Sequence, residues 1–325
     1  MAAVAERQTE RALLAAAAAR QALVLWERTP FPVLDSWDPL RLARVVAGLQ
    51  LRAARGADPY VAAAAQEQGM QAPAVAALVP AAFAAVNGDG TSLLSLLDLP
   101  RIEAREAIGR GADSAEALAS ARKKLQLMAV TAVQDAGRVA DGVADAIRPA
   151  IAGYERVVNL PACDRCIVLA GRLYRWSHGF ERHPKCDCTM VPVTAEQWHS
   201  QRPENTPEQL FARMSPQQQD RAFTKAGAQA IRDGADISQV VNARRGMRKA
   251  QVFGHDLRIT TEGTTRRGLA GKRLEAAGAQ VAKLLGERYR RVVSTPRLMP
   301  ESIYEIANGD RDEAIRLLKR FGYIH

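Results

Sequence analysis

The sequence predicts an α+β protein, predominantly helical, with one small β unit near its middle. Three observations carry this. Apolar residues recur at helical spacing over long stretches, and although 47% of the chain is hydrophobic, much of that is alanine and only 5% is aromatic. β-branched and aromatic residues concentrate at Val157-Val158, Ile167 to Trp176 and Thr189 to Val193. All 4 cysteines lie in that same middle region, between Cys163 and Cys188.

The elements follow in order. Residues 3–28 form a helix with Leu13, Leu14, Ala17 and Ala18 on one face, and the segment TPFPVLDSWDP interrupts it. Asp38 before Pro39 starts a second helix that runs to Gly56 with Leu42, Val45, Val46, Leu49 and Leu51 inward. Ala72 to Val86 is the longest apolar run; with Pro73 and Pro80 inside it, short buried helices broken at the second proline are expected. Asn87-Gly88-Asp89-Gly90 is a turn. Ser114 to Ile147 is one long helix, and Gly137 and Gly142 mark where it would bend. Two or three short strands surround the cysteines. Thr206-Pro207 and Ser215-Pro216 each place a capping hydroxyl before a proline, so helices begin there, the second running through Phe223 and Ile231 to Gly234. Ser238–Met247, Leu269–Glu287, Pro300–Ala307 and Arg311–Phe321 complete the helical reading. The expected divisions are an N-terminal helical region (1–112), a module of long helix plus Cys/His β unit (113–195) and a basic helical C-terminal region (196–325).

Charge separates the halves. Residues 1–150 hold 16 Lys/Arg against 16 Asp/Glu, whereas residues 151–325 hold 29 against 19, the whole of the net +10. A basic half-chain points to a polyanionic partner such as nucleic acid; the alternative is solvated helix surface. Glu6, Arg7, Glu10 and Arg11 break up the apolar stretch a secretory peptide needs, so no export by signal peptide is expected. No apolar run reaches the roughly 20 residues of a membrane span.

Four cysteines in a chain with no export signal point to metal ligands or reduced thiols. Zinc takes four tetrahedral ligands, and Cys163-x-x-Cys166 supplies two sulfurs from one bend. His183, Cys186 and Cys188 compete for the remaining two positions. Cys186 and Cys188 point to one face of a strand, while His183 and Cys186 meet through the Pro184 turn, so the spacing leaves both sets open. The expected cofactor is structural zinc stapling the β unit; the alternative is unligated buried thiols. His178 and His199 are read as surface or packing residues. A deaminase is excluded because no histidine precedes Cys163, and a zinc protease because His-Glu-x-x-His is absent. A redox pair is set aside because the strand-like IVLAGRLYRW follows it.

The order Cys163-x-x-Cys166, a Gly171-containing strand, then His183-Pro184-x-Cys186-x-Cys188 resembles the C-terminal signature of phage Mu F-like minor head proteins, over roughly residues 115–195. The stretches QDRAFTKAGAQAIRDGADISQVVNARRGM, RLMPESIYEIA and IRLLKRFGYI are similar to the tails of proteins encoded beside the portal in tailed phages of actinobacteria. The resemblance implies a minor capsid protein of the virion, inside the head in few copies, made in the host cytoplasm. Its implied partners are the portal protein and the major capsid protein, in head morphogenesis, packaging or ejection of DNA. It implies no catalytic residue.

Three basic clusters are candidate nucleic-acid contacts: Arg244, Arg245, Arg248 and Lys249; Arg266, Arg267, Lys272 and Arg273; and Arg288, Arg290 and Arg291. The stretch GLAGKR is not a P-loop, since Arg266 and Arg273 stand where glycine and Ser/Thr are required. Relatives labelled as capsid maturation proteases prompt a search for a nucleophile, but Ser177-His178 lacks the context of a triad. The competing readings are a maturation protease or nuclease, and a stand-alone DNA-binding zinc module.

Overall fold

The structure, a computed structural model, describes residues 1–28, 36–179, 188–200, 205–252 and 254–325. These divide into two compact units: the described residues of Met1–Asn159 with Gly171–Pro203, and those of Leu160–Ala170 with Glu204–His325. The protein is mainly helical with small antiparallel sheets, as its composition predicts. No helix among the described residues is long and apolar enough to cross a membrane.

The first unit is built on α1 (Ala2–Glu27), α2 (Pro39–Arg55), α3 (Ala57–Glu67), α4 (Leu93–Gly109) and α5 (Ser114–Ala146). Asp38 accepts the Leu40 N–H at 3.0 Å ahead of Pro39, and Asp113 accepts the Glu116 N–H at 2.9 Å, so local chemistry sets both helix starts. The other four helices pack on α5: α1, α2 and α4 around Leu42, Val46, Leu97, Leu125 and Val133, and α3 through Tyr60 and Val61 against Ala140 and Ala144. Trp26 and Trp37 close this core edge to face, with ring centroids 5.2 Å apart. Helix α5 runs unbroken through Gly137 and Gly142. A Cβ on Gly137 would stand 3.0 Å from Arg11 Cδ, so the glycine admits α1. The run Ala72 to Val86 departs from expectation: it holds one 3₁₀ turn, Pro80–Phe83, that buries no residue. Two prolines remove backbone donors, and alanine offers little area with which to compensate.

A three-stranded sheet completes this unit, with β1 (Gly153–Val157) between β2 (Leu173–Arg175) and β3 (Thr189–Val193), both antiparallel to it. Every residue of β3 is buried. Ile167 is not in a strand. It ends the short helix α6 (Asp164–Ile167) in the second unit, so the predicted strand shrinks to Leu173–Arg175. The helix α7 (Ala195–Ser200) follows β3.

The second unit continues with α8 (Pro207–Arg213), α9 (Pro216–Phe223), α10 (Lys225–Arg232) and α11 (Ile237–Ala243). Thr206 and Ser215 form full capping boxes with Gln209 and Gln218. Thr224, at φ 65°, divides the expected single helix into α9 and α10. The structure then adds a β component that the helical reading lacked. Strands β4 (Met247–Val252) and β5 (His255–Thr260) form a hairpin extended by β8 (Arg297–Leu298), while β6 (Val281–Ala282) pairs with β7 (Arg291–Val292). The helix expected over Leu269–Glu287 is limited to α12 (Leu269–Ala276), with Gly278 at φ 88° beyond its end. Helices α13 (Pro300–Ala307) and α14 (Arg311–Arg320) close the chain, and their core with Leu257, Ile259 and Leu274 includes Ile303, Leu318 and Tyr323.

Candidate functional site

The loop after β5 and the strand β7 bring two of the predicted basic clusters together. Arg266 N–H donates to the Arg290 carbonyl at 3.0 Å, and Val292 N–H to the Thr264 carbonyl at 3.0 Å. Thr265 thereby forms a β-bridge with Arg291. Side chains 20 or more positions apart in sequence now share one cleft of about 340 Å³, lined by Thr265, Arg266, Arg267, Arg288, Tyr289 and Arg290. Tyr289 is half exposed, with the Arg288 guanidinium carbon 5.4 Å and that of Arg267 6.0 Å from its ring centroid.

Charge pairing sorts these cations. Arg267, Arg288 and Arg290 have no carboxylate partner among the described residues, and Arg266 has a loose, exposed one in Glu275 at 3.6 Å. Arg291, by contrast, is bound to Glu287 through two contacts, one of them Nε to Oε2 at 2.7 Å. It serves the hairpin and not the cleft. Lys272 and Arg273 are exposed on α12, outside the cleft lining.

The first cluster is dispersed. Arg244 turns inward, donating to the Phe223 carbonyl at 3.0 Å and lying 3.8 Å from Glu301. Arg248 and Lys249 are consecutive on β4 and so face opposite sides, while Arg245 is exposed on the preceding 3₁₀ turn. Lys249 stands opposite Arg258 on β5, a like-charge pair moderated by Glu301, 3.9 Å from Arg258.

Backbone close approach fixes the loop. A Cβ on Gly271 would stand 2.0 Å from the Thr265 carbonyl oxygen, and one on Gly268 2.2 Å from that of Gly263. Gly271 N–H donates to the Gly263 carbonyl at 3.0 Å, so this amide of GLAGKR is already satisfied. The buried Arg297, which sequence reading did not single out, anchors the base of the loop. It donates to the Glu262 carbonyl at 2.8 Å and to the Phe321 carbonyl at 2.9 Å, with its guanidinium 4.2 Å from the Tyr323 ring centroid. Burial lowers its pKa, but an arginine remains charged. Tyr289 was also missed; its signal was an aromatic residue interleaved with the arginines of Arg288-Tyr289-Arg290-Arg291.

Of the five candidate zinc ligands, His183 and Cys186 lie outside the described residues. Cys163 is the N-cap of α6, and its Sγ accepts the Cys166 N–H at 3.4 Å. That turn is the bend a Cys-x-x-Cys ligand pair requires. It also means that the pair opens a helical turn, so the strand-based ground for setting aside a redox role does not hold; the antiparallel context remains unlike a βαβ unit. Cys188 belongs to the first unit and is buried. Its Sγ accepts from Arg156 Nη2 at 3.3 Å and its carbonyl from Arg138 Nε at 3.1 Å. The described residues contain no group of three or more His, Cys, Asp or Glu that could hold a metal ion.

Ser177 and His178 are exposed beside an apolar cleft of about 270 Å³ that includes Val139, Val143 and Trp176, and no carboxylate is among its lining residues. The His178 carbonyl accepts a hydrogen bond from Tyr154 at 2.5 Å.

Comparison with protein-family models, curated proteins and solved structures yields no match to this chain.

Proposed function

We propose that the protein is a non-catalytic structural component that contacts nucleic acid through the arginine cleft of its second unit. The gathering of Arg266, Arg267, Arg288 and Arg290 around one concavity is the observation that carries this reading. Guanidinium groups present paired donors that match phosphate oxygens, and cations left without carboxylate partners are available to them. The Cys/His motif supports placing this activity in a minor head protein of a tailed phage, bound to the portal or inner capsid. In that setting zinc on the Cys163–Cys188 motif is a structural cofactor whose binding adds to the stability of the folded chain.

The test is fluorescence anisotropy of the full chain with labelled DNA over a series of salt concentrations. Four phosphate contacts give a log–log salt slope of about −3 to −4, and replacing Arg288 and Arg290 by alanine makes it shallower by about 1.5 to 2. Binding unchanged in the double variant would overturn the cleft reading. The virion placement has its own assay, co-purification with portal rings. Capture that persists in the double variant supports it, and failure of the intact chain to associate with portal or capsid protein overturns it.

A further inference from the structure

We infer that the arginine cleft is built for an unpaired nucleotide, with a base stacked on Tyr289 and the flanking phosphates held by Arg267, Arg288 and Arg290. This rests on the nucleic-acid reading of the same cleft and narrows it to single-stranded substrate.

Phosphate contact alone needs only cations. The loop between β6 and β7 offers more: Tyr289 is half exposed within the cleft, and Leu284 and Leu285 are exposed on the same loop, Leu285 fully. Leu284 and Leu285 open a tight turn in which Glu287 N–H returns to the Leu284 carbonyl at 3.1 Å and Gly286 takes φ 81°. An apolar residue at the corner of an exposed turn gains nothing from the fold itself. The faces of unstacked bases are planar and apolar, and their backbone is anionic, so a single strand satisfies both features at once. In a duplex the base faces are covered by their neighbours, which leaves Tyr289 unused.

The concavity separates this ligand from an anionic lipid surface, the other partner that cations beside exposed leucines suit. A membrane meets a projecting face, whereas here the guanidinium groups and the ring line a recess within the usual size range of small-ligand pockets. Arg267 and Arg288 beside the ring add cation–π support and keep Tyr289 in place before any base arrives.

The experiment compares a labelled single-stranded 20-mer with its own duplex by anisotropy at one salt concentration, using the full-length chain, Tyr289→Ala, Tyr289→Phe and the Arg288→Ala/Arg290→Ala double variant. Thermal melting of each variant checks that it is folded. The expected result is tighter binding of the single strand, a loss of roughly 5- to 150-fold for that strand with Tyr289→Ala, retention with Tyr289→Phe, and little change for the duplex. Equal weakening of both DNAs by Tyr289→Ala, or no effect on either, overturns the stacking inference while leaving the arginine cleft intact. No loss in the double arginine variant overturns the cleft reading itself. Vesicles of phosphatidylserine that bind the chain and release it on Leu285→Ser, with no preference for single-stranded DNA, would assign the loop to a membrane surface instead.

Discussion

Asp141 is fully buried on α5 and holds two arginines of α1. Its Oδ1 accepts from Arg7 Nε at 3.0 Å and Nη2 at 2.6 Å, and its Oδ2 accepts from Arg11 Nη1 at 3.2 Å. Arg11 continues to the Thr189 hydroxyl and to the Cys188 carbonyl at 3.4 Å, so the arginine that Asp141 holds also joins the N-terminal helix to the strand that follows the cysteine motif. Although burial alone lowers the Arg7 pKa, the charge and hydrogen bonds of Asp141 and then Glu10 more than compensate and raise it. Asp141→Asn leaves two buried cations without this counter-charge. Breaking a buried pair costs about 3–5 kcal/mol, and because Arg7 keeps Glu10 and the Ala53 carbonyl, the lower end applies, about 3 kcal/mol. With a urea slope of about 2–3 kcal/mol/M for a unit of this size, the midpoint falls by about 1–1.5 M. The assay is intrinsic fluorescence, because all 4 tryptophans belong to the first unit and report its unfolding alone. A midpoint shift below about 0.3 M would show that the cluster carries no such energy. Replacing Arg7, Arg11 and Asp141 together by Met, Met and Leu should cost far less than the single change, because the loss comes from stranded charge and not from the missing bond.

Elemental analysis of the purified chain should find about one zinc, with the four thiols titrating only after chelation; metal-free protein with freely reacting thiols would refute the zinc staple. Asp145 gives a pH signature. Burial, then the charge of Asp141, pushes its carboxyl pKa well above the usual range, with Arg148 opposing. Below about pH 4 the carboxyl is protonated in both states, whereas above it the unfolded chain ionises first, so stability falls by up to about 1.4 kcal/mol per pH unit. Asp145→Asn removes that loss, and its advantage over the parent chain in urea melts should widen between pH 4 and 7. A constant or reversed difference would place the proton elsewhere.

Elements whose ends are set by local chemistry were legible in the sequence. Asp38-Pro39, Thr206-Pro207 and Ser215-Pro216 start helices because side-chain oxygen and proline act within one turn, whatever the rest of the chain does. The hairpin of β4 and β5 was hidden for the opposite reason. Its outer-face residues Lys249, Asp256 and Arg258 are charged, Arg248 stands across from Ile259 on the other face, and the core takes Leu257 and Ile259 with only Ala250 beside them from β4, so the alternation is too short to stand out from a polar helix. Thr224 gives no warning of its positive φ, and a cysteine is a poor signal for the helix start that Cys163 provides. The site was half legible. Its cations were visible, but counting them cannot tell Arg291, neutralised by Glu287, from Arg290, which has no carboxylate partner among the described residues.

What joins the clusters is a backbone pairing between residues 264–266 and 290–292, and such non-local contacts have no signature in either segment alone. The same pairing explains why the glycines of GLAGKR do not make a phosphate loop. They are spent on packing, Gly268 against the Gly263 carbonyl and Gly271 against that of Thr265. A phosphate loop binds through backbone amides of fixed direction and so recognises one group in one pose. On the proposed reading the anion is met instead by arginine side chains, which reach in several directions and hold their charge at any physiological pH. Recognition built this way tolerates many backbone positions and any base order, and it weakens steeply with salt. That is the behaviour suited to a protein that must hold nucleic acid without choosing a sequence. On the single-strand inference, Tyr289, the aromatic residue of the cleft lining, is what distinguishes a single strand from a duplex.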